Sequence, residues 1–339
     1  MPYLVEESWL DFFPAGLRSI LGCPTPEERR AWQEIRLRLG QPVTVVTARG
    51  DCRLDLFTPS RYVNSPLTAE DLQATFQLMT QHSVYALEEE LRRGFITLPG
   101  GHRLGFSGHA ILEHGRIRLL RQIGFLNLRL ARAHPGVGRA VMPALIGNGR
   151  LLSTLILSPP RCGKTTLLRD LVRLASLGQP ELGLDGQQVS LVDERSEVAG
   201  SYLGQPQLDV GPRTDVLDGA PKAEGMLLML RAMSPEVLAT DEIGRPEDAE
   251  AIAEAAKTGV SLLATAHAAN PEEACLRPAL AQLLAERYFH RLIVLDASRG
   301  PGTVAGLYEW REQPSREGIG CFGSWAPSAL WRGLAVSAT

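Results

Sequence analysis

Residues Leu155 to Asp170 read LILSPPRCGKTTLLRD: an apolar run that stops at Ser158, crosses Pro159-Pro160-Arg161-Cys162, and resumes as Gly163-Lys164-Thr165-Thr166 ahead of further leucines. A strand, a tight loop and a helix in that order make a cradle for phosphate. Backbone N–H groups at the helix start point outward, and the helix dipole favours negative charge there. The usual pattern, G-x-x-x-x-G-K-[ST], has a glycine where Ser158 stands. That position is the strand exit, upstream of the principal donors from Cys162 to Thr166, and the two prolines forfeit N–H groups only in the arch of the loop. The loop is therefore predicted to bind nucleotide through Pro160, Arg161, Cys162, Gly163, Lys164, Thr165 and Thr166. Gly163 lets the backbone bend and approach the phosphates, Lys164 reaches the outer phosphates, and the Thr165 hydroxyl ligates magnesium.

A nucleotide site also needs one carboxylate for the metal and another to activate water, usually at the ends of neighbouring apolar strands. Two runs qualify. VSLVDERSE ends in Asp193 and Glu194 with Glu197 close behind, and EVLATDEIG ends in Asp241 and Glu242. Either pair alone also reads as a helix cap or a solvated edge. Beside a phosphate loop, both become candidates. GVSLLATAH then delivers His267 to a further strand end, where a polar ring can sense the γ-phosphate.

Around these motifs the chain shows two regimes. Up to about residue 134 the pattern is mixed: PVTVVTA and GFITLPGGHRLGFSGHAIL read as strands and turns, and Thr68 to Arg93 reads as a helix opened by the capping signature Thr68-Ala-Glu-Asp71 and ended by Gly94, with His82-Ser83 as an alternative break point. ARAHPGVGR, from Ala131 to Arg139, marks a linker. Beyond it, strands STLILS, QVSLVDE, EVLATDE, GVSLLATAH and HRLIVLD alternate with helical segments Thr165 to Leu177, Ala223 to Met233, Pro246 to Lys257 and Pro271 to Glu286. Such alternation predicts a mostly parallel sheet covered on both faces. The expected layout is a smaller α/β front domain over 1–134, a P-loop α/β core over 135–312, and a loosely held tail over 313–339.

Composition bounds the rest. The chain has 339 residues, 44% of them hydrophobic and 22% charged, enough for about two globular domains. A formal charge of −3 gives no global attraction to nucleic acid. Five scattered cysteines, Cys23, Cys52, Cys162, Cys275 and Cys321, without metal-ligand spacing, predict reduced thiols, no disulfide and no zinc. No run of about eighteen apolar residues occurs, so a soluble protein is expected, with any membrane contact made through a partner.

The order phosphate loop, VDERSE, ATDEIG, TAHA resembles the secretion-type ATPase superfamily of type II and type IV secretion and pilus motors. Within it the resemblance is to the sporulation stage III AA family, through SPPRCGKTTLLRD, LVDERSEVAG, ATDEIGRPEDAEAI, LLATAHA and, in the front domain, GFITLPGGHRLGFSGHA and LNLRLAR. It spans roughly residues 10 to 312. The resemblance implies that Gly163, Lys164 and Thr165 bind ATP, that Asp193, Glu194 and Glu197 form an acidic box, that Asp241 and Glu242 form the Walker B pair, and that His267 lies in a histidine box. Catalytic candidates are Glu242, Glu194, His267 and a front-domain arginine acting across a subunit boundary. Arg103, Arg121 and Arg129 all qualify, with Arg103 of PGGHRLGF put first. Thr165 and Asp241 would hold magnesium, Asp241 through water. Walker B departs from the usual motor pattern, carrying Asp-Glu-Ile-Gly-Arg, which leaves Arg245 without an assigned role. The implied protein is an ATP- and magnesium-using motor with a RecA-like P-loop core, a homo-oligomer such as a hexameric ring. It would work from the mother-cell cytoplasm on a membrane protein partner, without inserting in the membrane, to power assembly of or transport through a secretion-like channel in endospore formation. The competing reading is a RecA-like ATPase on single-stranded nucleic acid, against which the acidic balance and the lack of an added basic C-terminal module both count.

Overall fold

The computed structural model describes residues 8–54, 66–80, 94–310 and 331–334. Residues 81–93 of the expected long helix, Cys321 and Trp325 lie outside them. By internal contacts the chain divides into two units, 1–132 with 200–208 and 133–199 with 209–339. The short segment 200–208, read from sequence as part of the core, belongs to the first unit.

The first unit is a six-stranded antiparallel sheet of β1 (Trp32–Arg38), β2 (Thr44–Thr47), β3 (Gly50–Arg53), β4 (Phe95–Thr97), β5 (Arg103–Glu113) and β6 (Arg116–Arg129), in the order β3-β2-β1-β6-β5-β4. From Ile35 onward β1 buries alternate residues, Ile35 and Leu37, after a register shift at Trp32–Glu34. Those apolar residues meet Leu104, Leu126 and Leu128 of the neighbouring strands, Leu21 and Leu72 of flanking helices, and Phe13 of the bend before the helix Ala15–Gly22 in one core. The helix Ala69–Met79 starts as the sequence predicts: Asp71 N–H donates to Thr68 Oγ1 at 3.2 Å and Thr68 N–H to Asp71 Oδ2 at 2.9 Å. The segment 200–208 is fastened to the Pro99–Gly101 turn, where Gly100 N–H donates to Gln207 Oε1 at 3.0 Å. Gly200, at φ 58°, approaches so closely that a Cβ there would fall 3.1 Å from Gly101 Cα.

The second unit carries a small hairpin, β7 (Ile146–Gly147) and β8 (Arg150–Leu151), and a large sheet. The large sheet holds β9 (Thr154–Ser158), β10 (Val189–Asp193), β11 (Thr214–Asp218), β12 (Val237–Thr240), β13 (Ser261–His267), β14 (Arg291–Asp296), β15 (Thr303–Trp310) and β16 (Trp331–Gly333). Their order is β11-β10-β12-β13-β9-β14-β15-β16, parallel from β11 to β14 and antiparallel beyond. Strands β9, β10 and β12 are buried at every residue, as apolar runs covered on both faces must be. One face packs on the helix Lys164–Leu177 through Leu168, Leu171 and Val172, and the other on Lys222–Met233, Pro246–Lys257 and Pro278–Ala285 through Met226, Ile252 and Leu283.

Three expectations change. The helix expected over Pro271 to Glu286 is two, Pro271–Cys275 and Pro278–Ala285, because Pro278 offers no N–H and holds Arg277 extended at φ −97° and ψ 115°. Strand β11, TDVLD, was not foreseen, since as a half-buried edge it carries little apolar signal. The tail is not wholly loose: Trp331–Gly333 pairs antiparallel with Tyr308–Trp310.

Candidate functional site

The carboxyl ends of β9, β10, β12 and β13 lie side by side, with His267 in register with Ser158, and Thr240 with both Val192 and Ala264. This edge of a parallel sheet is where α/β folds bind ligands. It brings together the phosphate loop, both acid pairs and His267.

The loop takes its shape from two left-handed residues, Arg161 at φ 62° and Gly163 at φ 88°. Gly163 is demanded twice. Besides its φ, a Cβ there would lie 2.9 Å from Gly302 N, which itself donates to Cys162 O at 2.9 Å. No side chain caps the helix that starts at Lys164, and its first turn holds no acidic residue, so its N-terminus faces the loop with unsatisfied donors and an undiminished dipole. Thr165 and Thr166 are half-buried. At the first-glycine position, the buried Ser158 turns its hydroxyl back to donate to Pro159 O at 2.6 Å.

Lys164 is buried, its ammonium donating to Ser158 O, Ser158 Oγ and Pro159 O, each at 3.3 Å, and to His267 Nδ1 at 3.0 Å. Burial pulls its proton affinity below that of an ordinary lysine, against the opposing field of Glu242, Cys162 and Asp241. Because an ammonium only donates, Nδ1 of His267 accepts, and its other nitrogen, Nε2, carries the proton and donates to Glu242 Oε1 at 3.1 Å. The other Glu242 oxygen, Oε2, accepts from Arg195 Nη1 at 3.1 Å. Lys164, His267, Glu242 and Arg195 thus form one chain of contacts. Glu242 holds its place with a left-handed backbone, φ 45°, anchored by its N–H to Thr265 Oγ1 at 2.8 Å.

The acids do three different things. Asp193, fully buried, accepts N–H bonds from Glu197 at 2.9 Å, Val198 at 3.0 Å and Ala199 at 2.8 Å, and so folds the acidic-box turn. Glu194 pairs with the buried Lys222 at 2.5 Å, which outweighs burial and holds its carboxyl below the ordinary range. Asp241 is 1% exposed with neither carboxylate oxygen hydrogen-bonded, and burial pushes its pKa up to about 7. An orphaned buried carboxylate is a costly feature unless a ligand satisfies it. Among the described residues no group of three or more His, Cys, Asp and Glu side chains is arranged to hold a metal. One carboxylate and one threonine suit magnesium, which takes most of its remaining ligands from water and substrate phosphates.

Several supporting contacts are not legible in the sequence. Asp170 Oδ2 accepts from Gly136 N at 2.9 Å and Gly138 N at 2.7 Å, while its Oδ1 pairs with Arg173, so the linker glycines are bound to the loop helix. Arg169 Nη2 donates to Glu197 O at 2.8 Å and its Nε to Val198 O, buttressing the acidic-box turn from the same helix. Arg195 was overlooked because its partner is 47 residues away. Arg245 N–H donates to Asp248 Oδ2 at 3.0 Å at the start of the helix Pro246–Lys257. In the first unit, Arg103 stacks 3.6 Å over the Phe95 ring, Arg129 lies 3.4 Å from Glu34, and Arg121 is exposed.

The parallel sheet and its phosphate loop define a P-loop α/β protein of the kind seen in secretion and pilus motors. The fold is shared with the ATPase DotB of Legionella pneumophila, at 15% identity and TM-score 0.51 over 79% of this chain and 73% of that one. It is shared equally with the pilus retraction motor PilT solved with bound ADP, at 15% identity and TM-score 0.52 over 79% and 76%. The family described as sporulation stage III, protein AA matches residues 6–314. A stage III sporulation protein AA of Bacillus subtilis is 40% identical over 299 residues, 88% of this chain and 94% of that protein. The chain belongs to this sporulation family.

Proposed function

We propose that this protein is a magnesium-dependent ATPase motor, active as a ring of identical subunits. It works at the mother-cell side of a membrane partner, powering assembly of or transport through a secretion-like channel during endospore formation. The observation that carries the ATPase reading is the orphaned, buried Asp241 beside a lysine whose ammonium is held only by exchangeable contacts to its own loop and His267. The sporulation role is supported by family membership. No described helix is long and apolar enough to cross a membrane, which supports reliance on a partner.

In this reading the backbone from Pro160 to Thr166 and the Lys164 ammonium hold the phosphates, and Thr165 and Asp241 hold magnesium. When bound, the ion neutralises charge on the phosphate oxygens. Water attacks the γ-phosphorus, its proton passes to Glu242, and the bond to the β-phosphate oxygen breaks, giving ADP and phosphate. His267 orients Glu242, and Glu194 holds the acidic-box turn to Lys222. Arg103 from a neighbouring subunit steadies the charge on the transferring group.

One set of variants tests this. Lys164→Ala abolishes binding of a fluorescent ATP analogue, whereas Glu242→Gln binds it and fails to hydrolyse in single turnover. Mixing inactive Lys164→Ala with inactive Arg103→Ala subunits restores part of the rate, because some interfaces then combine an intact loop with an intact arginine. Undiminished affinity in Lys164→Ala removes the loop assignment. Co-assembly without recovery removes Arg103 alone.

A further inference from the structure

The site contains an arginine that the reading above does not use. Arg195 stands on the turn after β10, its side chain 51% exposed, and reaches Glu242 Oε2 at 3.1 Å. With His267 on Oε1 at 3.1 Å, both oxygens of the proposed base are occupied. The two holds differ in kind. His267 is linked through Nδ1 to the Lys164 ammonium, the group placed to receive phosphate, so a bound triphosphate competes directly for that side of the chain. Nothing of the sort acts on Arg195, whose guanidinium approaches from the solvent side on a turn bent by Ser196 at φ 53° and closed by Ser196 Oγ donating to Asp218 Oδ1 at 2.7 Å. At Gly200 the chain leaving this turn enters the first unit.

The geometry points to Arg195 as a latch on Glu242: a positioning residue that keeps the base engaged until its half-exposed guanidinium swings away, so that filling the phosphate loop is not by itself sufficient for rapid hydrolysis. This rests on Glu242 being the base of an ATPase. A carboxylate oxygen already accepting a charge-assisted hydrogen bond from a guanidinium is engaged and out of place for an incoming water, and becomes available to it only on release. Holding the base back costs little in the fold, because a half-exposed ion pair is weak and easily exchanged. Such a contact suits a switch better than a strut.

Steady-state hydrolysis by the full chain tests the latch. Arg195→Ala is expected to raise kcat about three- to five-fold, the size of one half-exposed ion pair, with KM within about two-fold of wild type. Arg195→Gln, which keeps length but not charge, should behave alike, and Arg195→Lys should bring the rate back toward wild type. Salt supplies a readout that a merely structural role would not move. Raising ionic strength from about 0.05 to 0.5 M should speed the wild type relative to Arg195→Ala, since screening weakens a contact that the variant lacks. If the wild type hydrolyses ATP in a Lys164-dependent way while Arg195→Ala and Arg195→Gln show an unchanged or lowered kcat, the latch is overturned and the ATPase reading stands. If the wild type shows no Lys164-dependent hydrolysis, both fall.

Discussion

Two aspartates end two neighbouring apolar strands, and their surroundings could hardly differ more. Asp193, the last residue of β10, receives three backbone N–H bonds and has its capacity spent on the turn that follows. Asp241, just past β12, is buried to the same degree and has no partner for either oxygen. Burial raises both, to about 6 and about 7, Asp193 less because its N–H donors favour the charged form. The contrast separates a carboxylate that builds the site from one that the site keeps in reserve. Equal depth and equal residue type do not make equal roles. What decides is whether the backbone folds back to meet the charge.

Three experiments press on that contrast, beginning with the largest effect. Asp193→Ala strands two buried N–H groups and one half-buried one and should cost about 3–5 kcal/mol of unfolding free energy. Chemical denaturation at neutral pH measures it. A loss below about 1 kcal/mol would mean that the turn does not depend on its carboxylate, and the two aspartates would no longer be distinguished.

Asp241→Asn should act in the opposite sense. With both aspartates raised above the ordinary value, the nucleotide-free folded chain binds more protons than the unfolded chain between about pH 4 and 7, so stability falls as pH rises through that window. Removing the Asp241 charge should flatten the fall and raise stability at about pH 8 by roughly 1–3 kcal/mol. The same variant should lose magnesium-dependent hydrolysis. Denaturation curves taken across that pH range check the first part. An unaltered slope would show that the Asp241 charge finds a partner after all.

The smallest effect belongs to Glu194. Its carboxyl is lowered by Lys222, so its contribution is present above the ordinary glutamate range and disappears as pH falls through its depressed value. Glu194→Gln should therefore cost about 1 kcal/mol at neutral pH and nothing in strong acid, while leaving far more hydrolysis than Glu242→Gln. If Glu194→Gln is the variant that binds ATP and cannot cleave it, the acid pairs of β10 and Walker B have exchanged roles.

Much of this molecule was legible in its residues because the relevant physics is local. Leu155 to Leu177 reads as strand, loop and helix since burial pattern, the φ demanded of Gly163 and helix propensity all act within a few residues of one another. The same holds for the Thr68 and Asp71 cap and for the fully apolar strands of a two-sided sheet. What only the tertiary structure decided are the pairings across long intervals of chain. One local closure escapes as well: VSLVDE and VLATDE are nearly the same word, and nothing in either says that the N–H groups of 197–199 close on Asp193 while Asp241 accepts no hydrogen bond. Arg195 meets Glu242, Lys164 meets His267 and Gln207 meets Gly100 across intervals of 47, 103 and 107 residues. Hydrogen bonds and charges act over a few ångströms of space whatever the separation in sequence, so partners of this kind exist only once the sheet has set its strand ends side by side.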